Sequence, residues 1–232
     1  MRDELSEPME DYIITIYRLE EVFGVARTSA IAKEMGVKPA TVTKIVGWLV
    51  KEGLATTEKY RGTKLTPKGR EIAERLLNKH RILEAFLHHL GFDPYKSHIL
   101  AHRLEHVPDE VVSAIYEFIG RPKTCPHGNP IVDTDVPSEP RLCDLPPGAR
   151  GKIVRILGEL RSVMSVLSEY GCWKGSELLL IDKWKQGARV LCVGREITIN
   201  LDVCKSLVVE VLGRDDAASA GAAGSEGSGN SY

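Results

Sequence analysis

The stretch from Thr28 to Thr66, TSAIAKEMGVKPATVTKIVGWLVKEGLATTEKYRGTKLT, limits the folds open to this chain more than any other segment. TSAIAKEMGV predicts a short helix with Thr28 as its cap, Ile31, Ala32 and Met35 facing inward, and Gly36 stopping it. KPATVTKIVGWLVKEG predicts a second helix that starts at Pro39 and carries Val42, Ile45, Val46, Leu49 and Val50 on one face before Gly53. Two amphipathic helices joined by a tight glycine turn form a helix-turn-helix. The two short β-like runs around KYRG then read as a hairpin, the wing of a winged helix.

The outward face of the second helix carries Lys38, Thr41, Thr43 and Lys44 near its N-terminal end, where a recognition helix meets base edges in the major groove. Thr28 and Ser29 at the start of the first helix, with Pro39 and Ala40, complete this candidate surface. The wing adds Lys59, Arg61 and Lys64, cations suited to phosphate or the minor groove. The net charge of −1 conceals a local bias: ten Lys or Arg stand against three acidic residues between Arg27 and Arg70. Double-stranded DNA is therefore the expected macromolecular partner.

Around this unit the pattern is helical. Ile13, Ile14, Tyr17, Leu19 and Val22 recur at helical spacing after Ser6, a possible cap, and Pro8. A long helix runs from Thr66 to Gly91, and two shorter ones follow in PYKSHILAHRLEHV and PDEVVSAIYEFIG. Leu83, Phe86, Leu87, Leu90, Ile99, Ile115 and Phe118 exceed what one thin layer needs, so a homodimer is expected. The Pro- and Gly-rich segment RPKTCPHGNPIVDTDVPSEPRLCDLPPGARG reads as a linker. Beyond it, GKIVRIL, SELLLIDKW, ARVLCVG, EITINL and KSLVVEVLG predict a small β-barrel, with a helix in RSVMSVLSEYG, and the last 20 residues read as disordered. The expected chain is mainly α with a small β domain: a winged helix-turn-helix over 1–70, a helical metal-binding and dimerisation domain over 71–140, a β-barrel domain over 141–213 and a tail over 214–232.

The segment HILAHRLEHV holds three histidines and a glutamate. On one helix, His98, His102, Glu105 and His106 would fall within an arc of roughly 100°. A solvated polar face has the same appearance, but i, i+4 imidazoles with a carboxylate between them also suit a metal ion. His80 and Glu84 form another i, i+4 pair on the long helix, and Asp11 lies in the first helix. Two sets follow: Asp11, His102, Glu105 and His106 as a first site, and His80, Glu84 and His98 as a second.

Taken in order, MEDYIITIY, VKPATVTKIV, EKYRG, NKHRILE and HILAHRLEHV resemble the diphtheria toxin repressor and manganese transport regulator family. The resemblance is close over residues 7–140, and Asp144 to Gly213 is similar to the SH3-like domain of the longer, iron-responsive members. It implies a homodimeric repressor that binds operator DNA when loaded with Fe(II) or Mn(II), two ions per chain, with Zn(II), Co(II) or Ni(II) able to substitute in vitro. It also implies the same two ligand sets, the first as the primary site and the second as the ancillary one. Iron members carry Met and Cys where this chain has Asp11 and His102; manganese members carry Asp and Glu there, and a further carboxylate where this chain has Ile14. CPHGNP matches an iron-branch Ser-Pro-Phe-Gly-Asn-Pro run that helps an Arg hold an anion. The corresponding residues are Arg81, Cys125 and Asn129. Cys125 and His127 are further candidate ligands there, and Glu159 is the nearby candidate to complete the ancillary site.

The competing classes are thinner. A metal-dependent hydrolase would need an open coordination position, a base and a substrate pocket, and the sequence holds no HExxH, no Ser/His/Asp set and no phosphate loop, so no small-molecule substrate is expected. A winged-helix protein with a structural metal site and no sensing role stays open. Five dispersed cysteines without a CxxC argue against a disulfide framework or a zinc ribbon. The acidic amphipathic start and the lack of any 18-residue apolar run predict a cytoplasmic protein without membrane attachment.

Overall fold

A computed structural model describes residues 5–58, 61–131 and 138–214. The chain divides into two units, one of residues up to Val136 together with Leu157–Met164, the other of Pro137–Ile156 and Ser165 onward. The segment 157–164, expected inside the last domain, thus packs with the first unit.

In the first unit α1 spans Glu7–Phe23 and ends on left-handed Gly24. The helix-turn-helix follows as α2 (Thr28–Met35) and α3 (Pro39–Lys51), with Gly36 in the left-handed conformation between them. Arg27, not Thr28, occupies the cap position of α2. Val42, Val46 and Leu49 of α3 are buried as expected, but Val50 is 41% exposed. It lies one residue round from Leu49, past the edge of the stripe that α3 presents inward. The wing is β1 (Ala55–Glu58) paired antiparallel with β2 (Gly62–Leu65). It is tied to the chain before α2 by two backbone bonds between Ala26 and Thr63.

The long helix α4 runs Pro67–His89, its start capped by Thr66, whose hydroxyl accepts from the Gly69 N–H. Helices α5 (Pro94–Leu104) and α6 (Asp109–Phe118) complete the unit. Glu20 of α1 joins three elements: it accepts the Leu65 N–H of β2 at 2.6 Å and the Arg70 guanidinium of α4 at 2.7 Å. Helix α5 ends at Leu104, so Glu105 and His106 lie in the turn beyond it instead of on the expected continuous helical face. Pro108 accounts for this, because a residue before proline is pushed out of the α region and the helix must end ahead of it.

The presumed linker is ordered over 121–131. Cys125 N–H bonds the Asn129 carbonyl at 2.9 Å, Gly128 N–H the Cys125 carbonyl at 3.0 Å, and Ile131 N–H the Lys123 carbonyl at 2.9 Å. Its Pro and Gly residues build a tight turn rather than loosen the chain.

The second unit is a five-stranded antiparallel sheet of SH3-like form, in the order β6–β5–β4–β3–β7. Its strands are β3 (Ala149–Ile156), β4 (Glu177–Trp184), β5 (Gly187–Cys192), β6 (Arg195–Asn200) and β7 (Leu207–Arg214). Helix α7 (Arg161–Tyr170) follows β3 as predicted, whereas the short α8 (Leu201–Ser206), capped by Asn200, was not legible between two β-branched runs. The predicted tail spans 214–232, but Arg214 is the last residue of β7, and residues 215–232 lie outside the described residues. Among the described residues no helix is long and apolar enough to cross a membrane.

Gly69 is where α4 touches the wing. A Cβ there would stand 2.0 Å from the Leu54 carbonyl oxygen, a backbone atom that cannot step aside. Gly69→Val should therefore cost about 3 kcal/mol, at the upper end of overpacking penalties, read as a lower urea midpoint with an unchanged slope.

Candidate metal centre

The outward residues of the winged helix stand as the pattern required. Ser29, Lys38, Pro39, Ala40, Thr41, Thr43, Lys44 and Arg61 are exposed and Thr28 is half-buried. Thr43 turns its hydroxyl back to the Pro39 carbonyl at 3.1 Å, and Arg61 is bonded to Glu58 at 2.9 Å across the wing. Lys59 lies outside the described residues.

Beneath this surface, the titratable side chains of α1, α4, α5, the turn after α5, the 121–131 turn and residue 159 converge in one network. Its centre is Glu84, fully buried on α4. His80, one turn earlier, meets Glu84 at 2.9 Å through Nε2 and Glu105 at 2.7 Å through Nδ1. His98 of α5 meets the same Glu84 oxygen at 2.7 Å and lies 3.1 Å from His80. The second Glu84 oxygen faces His127 Nδ1 at 3.3 Å. His80, Glu84 and His98, expected together, are together, and Glu159 joins them within ligand distance of one ion. An overlapping group comprises Glu84, Cys125, His127 and Glu159.

The other expected set divides. Asp11, Glu105 and His106 form one group with ligand geometry, while His102 joins Glu105 and His80 in another. Glu105, buried, bridges the two: one oxygen meets His80 and the other meets His102 at 2.8 Å. His102 is itself half-exposed. His106 faces Asp11 at 3.9 Å and, more closely, Glu10 at 3.1 Å. Glu10 was not foreseen. Its only signal was its place beside Asp11 in α1, which does not say which carboxylate turns inward.

Of Arg81 and Asn129, expected to hold an anion, Asn129 contacts the carboxylate of Glu159 and Arg81 acts on it electrostatically. Asn129 Nδ2 donates to Glu159 Oε1 at 2.6 Å, the Cys125 thiol lies 3.4 Å from the same oxygen, and Arg18 of α1 reaches Oε2 at 3.5 Å. Arg81 donates to the Pro130 carbonyl at 3.1 Å, and its positive charge is reinforced chiefly by Glu159 and Glu21 against the cost of burial.

The charges follow from burial set against these partners. Burial alone would discharge His80, yet Glu84 and Glu105 outweigh it and raise its pKa to about 9. His98 goes the other way: burial pushes it down to about 4, and its contact with Glu84 does not restore it. Burial would likewise protonate Glu84, but His127 and His80 hold it well below the carboxylate range, and Glu105 is held low by His102 and His80. Asp11 is raised chiefly by burial. Burial, then Glu84 and Glu159, pushes the Cys125 thiol well up.

This donor set fits a divalent cation. Imidazoles and carboxylates suit Fe(II), Mn(II) and neighbouring ions. Asp11 Oδ1 is buried without a hydrogen-bond partner while two further ligand-type groups face it, a cost that a cation would remove.

The chain has counterparts among known proteins. Residues 4–63 match the N-terminal DNA-binding domain of the iron-dependent repressors, and residues 66–133 match their metal-binding and dimerisation domain. Over 91 residues the chain is 53% identical to the HTH-type transcriptional regulator MntR of Listeria monocytogenes, covering 39% of this chain and 63% of that protein. The MntR of Bacillus pumilus is 47% identical over 98 residues, 42% of this chain and 68% of the relative. The chain thus spans just under two thirds of the Listeria relatives. Among solved structures, IdeR of T. acidophilum is 29% identical with a TM-score of 0.75 over 91% of this chain and all of that one. The metal-dependent transcriptional regulator MtsR is 26% identical with a TM-score of 0.77, over 90% of this chain and all of that one.

Because His80 keeps its proton up to about pH 9, an ion entering between His80, Glu84 and His98 must displace it. Binding of Mn(II) at pH 7 should release about one proton from this residue, and affinity should climb through the range from pH 6.5 towards 9. Calorimetry in two buffers of different ionisation enthalpy measures the release; a pH-independent affinity with no proton released would contradict the assignment.

Proposed function

Because the chain belongs to the iron-dependent repressor family of metal-responsive transcriptional regulators, we propose that it is a cytoplasmic, homodimeric repressor whose hold on operator DNA is set by Fe(II) or Mn(II). The observation that carries this reading is the buried imidazole–carboxylate network, which takes side chains from both the winged helix and the helices behind it.

In this reading Asp11, His102, Glu105 and His106 form the primary site. His80, Glu84 and His98 form the ancillary one, with Cys125, His127 and Glu159 on its far side, so that each chain holds two ions. When bound, an ion would supply positive charge and fixed coordination directions that carboxylates and imidazoles satisfy jointly. The chain's own residues do the rest. Asp11 rides on α1, which is tied to the wing through Glu20, whereas Glu105 and His106 follow α5. Drawing Asp11 towards Glu105 and His106 sets α1, and with it α2 and α3, at one angle to α4 and α5. Lys38, Thr41, Thr43 and Lys44 then meet the major groove in one register, and Arg61 follows a phosphate strand. Metal and DNA favour the same arrangement and so strengthen each other, by about 1–3 kcal/mol for a typical allosteric pair. Zn(II), Co(II) or Ni(II) would bind the same donors in vitro.

The helical unit also carries a surface for the second copy. Leu83 and Leu87 are buried in the core, but Phe118 is 74% and Leu90 57% exposed. A groove of about 580 Å³ lined by Phe86, Glu110, Val111, Ala114, Ile115 and Phe118 opens beside them. An exposed apolar face of this kind suits a two-fold dimer, which would place two recognition helices on successive turns of DNA.

Two measurements test the reading. On a duplex selected from a random pool, Mn(II) or anaerobic Fe(II) should tighten binding by roughly 5- to 150-fold, and Asp11→Ala should keep its helical content while losing that gain. Equal binding with and without metal, or unfolding on chelation, would make the site structural instead. Phe118→Glu should sediment as a monomer at micromolar concentration and bind the duplex at least tenfold more weakly; a dimer would move the interface elsewhere.

A further inference from the structure

Leu157–Met164 lies within the first unit and meets α1, α2 and the 121–131 turn. Gly158, at φ +69°, is pressed against α1: a Cβ there would stand 2.7 Å from the Arg18 carbonyl oxygen and 2.6 Å from Val22 Cγ2. Glu159 is itself left-handed, at φ +43°, and buried, a conformation that a non-glycine residue adopts only when its surroundings impose it. The surroundings do so from both sides. Leu157 and Leu160 are buried, and Glu34 of α2 accepts the Arg161 N–H at 2.7 Å and the Ser162 hydroxyl at 3.3 Å.

Glu34 sits in the last turn of α2, where a carboxylate opposes the helix dipole. Its partner is the first turn of α7, where a carboxylate is favoured. The residue is therefore poorly placed for its own helix and well placed for its neighbour.

We propose that Leu157–Met164 is a strap through which the ancillary metal pocket and the helix-turn-helix sense each other, with Glu34 as the positioning residue that anchors it. The inference rests on the metal-sensing reading above and adds a route for it. Held at Gly158 by α1 and at Arg161 by α2, the strap leaves the Glu159 side chain one direction, towards Asn129, Cys125, His127 and Glu84. A shift of α1 and α2 relative to α4 moves Glu159 out of the ligand group. Reciprocally, Glu159 committed to an ion restrains α2 and the recognition helix that follows it.

Mn(II) binding, followed by the electron paramagnetic resonance of the free ion, and hydrogen exchange of the α2 amides test the coupling. Wild-type protein should bind two Mn(II) and slow exchange in α2 as the second site fills. Glu34→Ala should weaken one site about tenfold, leave the other unchanged and abolish that protection. Glu34→Gln, which keeps an oxygen for the Arg161 N–H, should stay close to wild type. Ser162→Ala removes one bond and little packing, so it should show a smaller loss in the same direction and carries the test if Glu34→Ala does not fold. Two ions bound and α2 protected in both Glu34→Ala and Ser162→Ala, as in wild type, would overturn the strap alone. No uptake of Mn(II) by wild type would overturn the metal-sensing reading, and the strap with it.

Discussion

The first unit is organised around one carboxylate that water cannot reach. Glu84 is fully buried on α4, and an isolated charge in such a place would cost several kcal/mol. Three imidazoles surround it: His80 from its own helix, His98 from α5 and His127 from the 121–131 turn. That requirement sets the register of α5 on α4 and draws the 121–131 turn inward. Apolar packing then closes around the polar centre in separate patches: Ile82, Val112, Cys125 and Ile131 in one, Leu83, Leu87 and Ala101 in another, and Ile14, Leu76 and Leu77 towards α1. A buried charged network gains little net stability over an apolar core of the same volume. What it provides is sensitivity, because every element around it must hold its place for the charges to stay paired.

How much of this was legible in the sequence depends on the range of the interaction. Period and punctuation identified the helices other than α8, the wing and the five strands, since each depends on residues within a few positions of one another. The i, i+4 pair of His80 and Glu84 belongs to the same class and stands as expected. Contacts at long separation were legible only where ligand-type side chains marked both ends, as for His98 with His80 and Glu84 or Asp11 with Glu105 and His106. The bonds from Glu10 to His106 and from Arg18 to Glu159 join residues that share no local pattern. Two local readings also yielded to wider context. HILAHRLEHV reads as one continuous helical face, but Pro108 ends α5 at Leu104, and Glu105 and His106 reach their partners from a turn. The Pro and Gly content of 121–131 suggested a linker, yet the segment has buried residues to place, and its prolines and glycines shape the turn that places them.

The charge balance shows why such a network would respond to a divalent ion and not merely tolerate one. Before an ion enters, the carboxylates of Glu84, Glu105 and Glu159 are ionised in spite of burial, and the cost is met by protonated histidines and by Arg18 and Arg81. His80 and His127 are both shifted towards the charged form by those carboxylates, against their own burial. An ion that displaces a proton here therefore adds less charge to the interior than it carries, which lowers the penalty of placing charge in a low-dielectric site. It also changes geometry. A proton satisfies one pair of atoms along one line, whereas a cation draws several ligands towards a single point. Glu159 and Asp11 belong to this network and also to the strap and to α1. An exchange of proton for ion at the centre would thus become a displacement at the surface that meets DNA.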